Sequence, residues 1–550
     1  MTMSKNIGRP NTWGLLFGLA LTLLACEGKI VGERPRPPGV AVVPETRPDC
    51  TGVPAAVVVP LRRLTPSEFQ AAVIETFGPQ VPDLASLYPD GAGGVPYSTF
   101  GSAQAVEEQQ VRLLIDTAET LAVALQPRLT GCDTGPFEAC ARGTLTGWAR
   151  VGFRRTPDSA ELARLTALAV GARAEGFSPS EALALAASAL VQMPGFIYVV
   201  ESSAAGTTWT IDDQAKASRL ALVVGGRIPD ATGRALDTLN SLSTEGGLAT
   251  EASRWLAGPS GRLTFRRFVY EWLGLRTLPE GHSAEVRGAL VEELNRLIDD
   301  AFLAADTLAA LLSAPTGYVN PVLETFYGLP PESTGPADYR RVALPWRVGV
   351  LTHPLVMAAT GHNGDSSVIL RGRLLYLNVL CGYLGPPHAQ AAAVEAALPA
   401  AATPRARYEA RGKNAACQAC HQFLDPLGFG FEAFDGLGRQ RATAYGAPVD
   451  EAGEIKLAGS LAGPFVGPRA FVDRVLASEQ SATCFAKQWT RFAWGVFEYE
   501  PRSQGAVSPL ACTADRLGAA LITQRKFSTL IDAWARDPSF SARREERVNP

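Results

Sequence analysis

Apolar positions recur at helical spacing over most of the chain, and cap residues mark where the runs begin. Thr65, Pro66 and Glu68 place a cap, a first-turn proline and a capping-box acid ahead of Phe69, Val73 and Ile74. Ser178, Pro179 and Glu181 repeat that chemistry before an Ala/Leu run over 182–190, and Thr156 with Pro157 is a looser instance. Spacing of the 3.6 type predicts further helices over 213–224, 248–257, 263–275, 286–312, 469–477, 482–497 and 511–522. Strand signals are few and short. The expected fold is therefore mainly α. At 550 residues the chain exceeds what one core supports, so a multi-domain helical protein is expected. Arg62–Pro66 is echoed by Arg154–Pro157, but no fixed period follows, which excludes a repeat array.

Two stretches interrupt the helical pattern. Lys5 and Arg9 precede an apolar run over 13–24 and then Ala25 and Cys26, the anatomy of a signal peptide whose core is too short to span a membrane. Leu23, Leu24, Ala25 and Cys26 resemble the lipobox of bacterial lipoproteins. That resemblance implies a lipid on Cys26 and a membrane anchor, and Glu27 in place of aspartate favours the outer membrane. The expected location is thus exported and anchored, facing the periplasm or the cell surface. Residues 26–60 are rich in proline and read as a tether. Residues 385–404, Ala-rich and flanked by prolines, read as a surface linker or a short alanine helix. The expected layout is a signal peptide over 1–25, the tether over 26–60 and helical domains over 61–205 and 206–335. A motif-bearing domain over 336–445 and a C-terminal helical domain over 446–550 complete it.

The candidate chemistry lies in the motif-bearing domain. Cys417, Gln418, Ala419, Cys420 and His421 form C-x-x-C-H, the arrangement for c-type haem attachment. Two thiols one helical turn apart can bond one porphyrin, and the adjacent histidine can then ligate its iron as the proximal ligand. Three other readings of the pair compete: a structural disulfide, a thioredoxin-like redox pair and half of a zinc site. The redox pair wants a βαβ surround and zinc wants a second ligand pair, neither of which the sequence offers. Met357 is the first candidate for the distal iron ligand, with His353 and His362 as alternatives and His388 after them. Asp425–Phe429 should end the haem-bearing helix, and the Pro426 carbonyl could orient His421. Glu432, Asp435, Arg439 and Arg441 read as a structural charge cluster. Phe429, Phe431 and Phe434 read as packing around the porphyrin or in the core.

The run Arg411–Arg441 resembles the haem-motif segment of the planctomycete cytochrome c family, a family of domains of unknown function. Upstream, Gly349–Thr352, Arg371, Gly372, Val379–Cys381 and the Pro386/Pro387 pair look like the rest of that domain. Arg62–Phe69, Phe153–Thr156, Ala217–Asp230, Trp272–Leu275 and Tyr318–Gly328 are similar to the helical domains that precede it. Pro448–Glu454 and Arg536–Arg543 are similar to the domain that follows it. The resemblance implies an exported, haem-motif protein containing a small cytochrome c-like domain, with no reaction to carry over. The chain departs from the pattern at Leu220–Gly226, which lacks an aromatic pair, and at Ser367–Leu370, which replaces a serine-proline.

Composition narrows the partners. With 46% hydrophobic residues and a net charge of -3, the chain is neither disordered nor a nucleic-acid binder. Of nine cysteines, Cys26 goes to lipid and Cys417 and Cys420 to haem, which leaves six to pair in an oxidising compartment. Local pairing favours Cys132 with Cys140 and Cys484 with Cys512, and Cys50 with Cys381 follows by elimination. No G-x-S-x-G, P-loop or H-E-x-x-H occurs. The expected activity is electron transfer or that of a haem-dependent oxidoreductase subunit, with its redox partner unnamed. Whether it is an enzyme turns on an open iron position. The rival is a non-haem structural or binding lipoprotein with Cys417 and Cys420 as a staple.

Overall fold

The computed structural model describes residues 47–86, 96–101, 104, 108–201, 207–225, 242, 244–362, 365–385, 389–398, 403–457, 459–498 and 507–544. The leader, Cys26, the tether up to residue 46, Pro386, Pro387 and His388 lie outside them. Helices dominate, and among the described residues the named strands form only two-stranded antiparallel pairs, the mainly α, multi-domain build.

Capping sets the first helices. In Pro66–Phe77 the Thr65 side chain accepts from the Glu68 N–H and the Glu68 carboxylate accepts from the Thr65 N–H. Ser178 and Glu181 do the same for Pro179–Gln192. The third start differs from expectation. Asp158, not Thr156, caps Ser159–Ala174 with Glu161, while the Thr156 N–H donates to Gln214. Together with Glu108–Leu125 and Phe137–Gly152, these helices close around their own core, where Phe69, Leu121, Leu145, Leu190 and Phe196 are fully buried.

A second hydrophobic core runs continuously beneath the central, motif-bearing and C-terminal segments. Its largest members are Trp272, Trp489, Trp494 and Trp534, and Phe268 meets Phe485, Trp489 and Phe492 edge-on. The helix expected over 286–312 is broken here. Ala284–Asp299 runs into a π-turn at Asp300–Ala304, Asp306 adopts φ 55°, and Thr307 caps a new helix, Leu308–Ser313. The break is held by the C-terminal segment, since the Asp306 carboxylate accepts from the Ser528 N–H and hydroxyl. Tertiary contact overrides periodicity at this point.

Stretches far apart in the described chain meet. Thr208–Thr210 pairs antiparallel with Ala542–Arg544, and Val57 bridges to Arg543. Disulfides join Cys132 to Cys140, Cys50 to Cys512 and Cys381 to Cys484. The last two correct the expected Cys484–Cys512 and Cys50–Cys381 pairings. Cys484 and Gln488 are one turn apart on Glu479–Trp494 and face the 375–381 segment, where Gln488 donates to the Leu377 and Asn378 carbonyls. That face is committed to Cys381, which leaves Cys512 to the N-terminal Cys50.

Candidate functional site

The motif helix, Ala415–Phe429, starts at Asn414, whose side chain accepts from the Ala416 N–H. Cys417, Cys420, His421, Leu424 and Asp425 follow at three- and four-residue spacings and so share one side of it. Cys417 is buried, Cys420 is half-buried, and both are free thiols while the other six described cysteines are paired. Burial pushes both thiols above their ordinary range, with Glu395 adding to the effect at Cys417. A redox-active pair wants the opposite, a depressed thiol, which weighs against the thioredoxin-like reading. Among the described residues no three His, Cys, Asp or Glu side chains converge as a bare metal ion needs, which weighs against zinc.

His421 is oriented by a chain of charges. Its Nδ1 lies 2.8 Å from Asp425 Oδ1, and Asp425 is fully buried. Arg411 donates to Asp425 Oδ2 at 3.0 Å and, through Nε and Nη2, to Glu395 at 3.0 and 2.9 Å. Burial opposes the Arg411 charge, but the two carboxylates outweigh it and hold its pKa above the ordinary range. With Nδ1 engaged, Nε2 is the nitrogen left for a ligand, and it makes no hydrogen bond among the described residues. The expected orienting group, the Pro426 carbonyl, instead faces the strand Ala452–Ile455, where a Cβ on Gly453 would come within 2.7 Å of it.

The helix runs through Pro426 and ends at Phe429, the last residue of the stretch expected to stop it. Proline removes one hydrogen bond, but packing compensates. The neighbouring helix Val368–Leu374 presses backbone to backbone against it: a Cβ on Gly372 would sit 1.9 Å from the Leu424 carbonyl oxygen, and one on Gly428 1.9 Å from that of Val368. Next to Gly372, the buried Arg371 donates to the carbonyls of Phe431, Phe434 and Asp435 and pairs with Glu432 at 3.3 Å. Arg441 also holds Glu432, and Arg439 holds Asp435, so the charge cluster is structural. Phe429, Phe431 and Phe434 are buried, Phe431 against Phe471. Beside the thiols, Phe423 stacks on Tyr376 at 5.3 Å, and burial pushes the Tyr376 hydroxyl to about 12.

The expected linker over 385–404 contains the helix Ala391–Ala397, and its Glu395 is the residue that holds Arg411. Sequence reasoning missed Glu395, Arg411 and Asp425 as site residues. The available signal was the acid at i+4 from His421.

The distal-ligand candidates fall in different places. Met357 is buried in the second core, on Pro354–Ala359, whose principal partners are Ala284–Asp299 and Gly349–Thr352 rather than the motif helix. His353 is fully buried, with Nε2 3.3 Å from Glu293 and Nδ1 accepting from the Leu355 N–H, so it serves a buried charge cluster with Arg347 and Tyr327. That role replaces iron ligation for His353. His362 lies in the strand Gly361–His362, and His388 lies outside the described residues.

The fold and site define a mainly α, multi-domain protein with a thiol–thiol–histidine helix. Residues 140–201 match PSD5, a protein of unknown function (DUF1595), and residues 211–329 match PSD4, a protein of unknown function (DUF1592). Residues 347–444, which include the motif, match PSCyt3, a protein of unknown function (DUF1588). These names are associated with planctomycete cytochrome-like families. Comparison with curated proteins and with solved structures found no match.

Proposed function

We propose that the protein carries one covalent haem c on Cys417 and Cys420, with His421 Nε2 as proximal iron ligand, and that it serves electron transfer. One observation carries this reading: His421 Nδ1 is fixed by a buried carboxylate, on the same side of the helix as two unpaired thiols. Such a histidine–carboxylate pair sets the ring orientation and raises the basicity of the ligating nitrogen. A bound haem would supply a one-electron iron couple. Cys417 and Cys420 would hold it, Tyr376 and Phe423 would wall the thiol side, and Arg411, hydrogen-bonded to the second Asp425 oxygen, holds that carboxylate in place so that His421 stays oriented. Whether the iron keeps an open position decides between electron carrier and oxidoreductase subunit.

The sequence of the leader supports export and lipidation at Cys26, which would tether this helical body to a membrane, the outer one in preference. The experiment is expression with and without a c-type cytochrome maturation apparatus, followed by haem staining of a denaturing gel. A stained band that needs the apparatus and disappears in Cys417→Ser/Cys420→Ser supports the reading. An unstained band in all cases supports the staple instead. For the anchor, Cys26→Ser should move the protein from the membrane to the soluble fraction.

A further inference from the structure

Among the described residues, the outward face of the helix Ser159–Ala174 is left bare. Its inner side meets Phe137–Gly152 and Pro179–Gln192 and buries Leu165, Ala169 and Ala172. The outer side is nearly as apolar, for Ala160, Ala163, Ala167, Leu168, Gly171 and Ala174 are all exposed. A helix that is apolar all round is normally covered all round. Leu168 is 37% exposed, and Leu185 on the neighbouring helix, as far from the intervening turn as Leu168 is, is 41% exposed. Arg164, Leu168, Gly171 and Glu175 follow at four-, three- and four-residue spacings and so form one line along this face. Gly171 is a notch in it, since a Cβ there would have nothing within 4 Å. Arg164 and Glu175 make no ion pair among the described residues; Glu161, which feels Arg164 only at longer range, is held by Arg155 at 2.6 Å.

We propose that this face docks on the same face of a second copy of the chain, with the two helices antiparallel about a twofold axis between Leu168 and Gly171. The line is complementary to itself when reversed. Arg164 with Glu175 and Leu168 with Gly171 share one midpoint, so the twofold sets each Leu168 over the Gly171 notch of the other copy and each Arg164 opposite its Glu175. A parallel pairing would instead set arginine on arginine and glutamate on glutamate. The exposed alanines let the two backbones approach closely. With one cation and one anion the line offers an anionic lipid surface no net attraction, whereas a second copy satisfies both charges. The face of one helical hairpin is a small interface, so the dimer is weak and reversible. This surface is independent of the haem reading.

The test is sedimentation velocity of the purified full chain from about 1 to about 300 μM, the range a small interface calls for. A reversible monomer–dimer equilibrium is expected. Arg164→Glu or Glu175→Arg alone turns two attractive pairs repulsive and should weaken it about tenfold or more. Mixing these two variants in equal amounts should restore dimerisation, because one then carries glutamate at both positions and the other arginine. Gly171→Gln fills the notch and should abolish dimerisation without lowering Tm, since glutamine favours the helix more than glycine does. A chain that stays monomeric throughout, dimers indifferent to Arg164→Glu and Gly171→Gln, or a mixture no tighter than its components would each overturn the proposal. So would a monomeric chain that binds phosphatidylglycerol vesicles and loses that binding with Leu168→Gln, which would give the face to lipid.

Discussion

At the scale of single residues, the site turns on Asp425. It accepts a donor on each oxygen, His421 on one side and Arg411 on the other, while fully buried. Asp425→Asn keeps the shape and removes the charge. It should leave the haem attached but weaken the push on the ligating nitrogen, shifting the reduction potential upward in a redox titration. An unchanged potential would show that the pair is only structural. Cys417, Cys420 and His421 were legible in the sequence because covalent attachment demands a fixed spacing. Asp425, Arg411 and Glu395 were not, because a carboxylate at i+4 from a histidine and arginines on a helix read as ordinary solvated charges. Only burial, which depends on distant packing, turns them into a relay. The cysteine pairings were illegible for the same reason: Cys484 is matched by which helix face meets residue 381, not by distance along the chain.

At the scale of elements, the decisive contact is the crossing of Val368–Leu374 with the motif helix. Gly372 and Gly428 sit where any Cβ would overlap a carbonyl oxygen, so Gly428→Ala should cost about 3 kcal/mol or more, measured by denaturant unfolding. A neutral result would mean that the helices part easily. The short helix Ala391–Ala397 is tied down through the Glu395 contacts with Arg407 and Arg411. Glu395→Ala should loosen it, and in haem-free protein Cys417 should then react severalfold faster with a maleimide. Most helices were legible from caps and periodicity. The break at residues 300–307 was not, since its cause is a carboxylate–serine contact with a segment more than two hundred residues away.

At the scale of the whole molecule, ion pairs and a disulfide close the chain on itself. Cys50–Cys512 joins positions 462 residues apart, and replacing both by alanine should lower unfolding stability by about 2–5 kcal/mol. Two buried carboxyls set the acid limit. Burial raises Glu68, but Arg62 and Arg267 more than offset it and bring it to about 2, and Arg219 with Arg543 bring Glu201 to about 2 as well. Both groups are ionised in the fold and bind protons more readily when unfolded. Their contribution is complete above the unfolded pKa of 4.5 and is lost as pH falls from there toward 2. Glu68 alone contributes on the order of 3 kcal/mol, so Glu68→Gln should flatten the fall in Tm between those limits.

The central claim concerns one peptide. Protein matured with a c-type cytochrome apparatus, digested and weighed, should yield the fragment spanning Cys417 to His421 with porphyrin bonded to both sulfurs, and a reduced pyridine haemochrome spectrum to match. The same fragment recovered without porphyrin, as free thiols or as a Cys417–Cys420 disulfide, would contradict it.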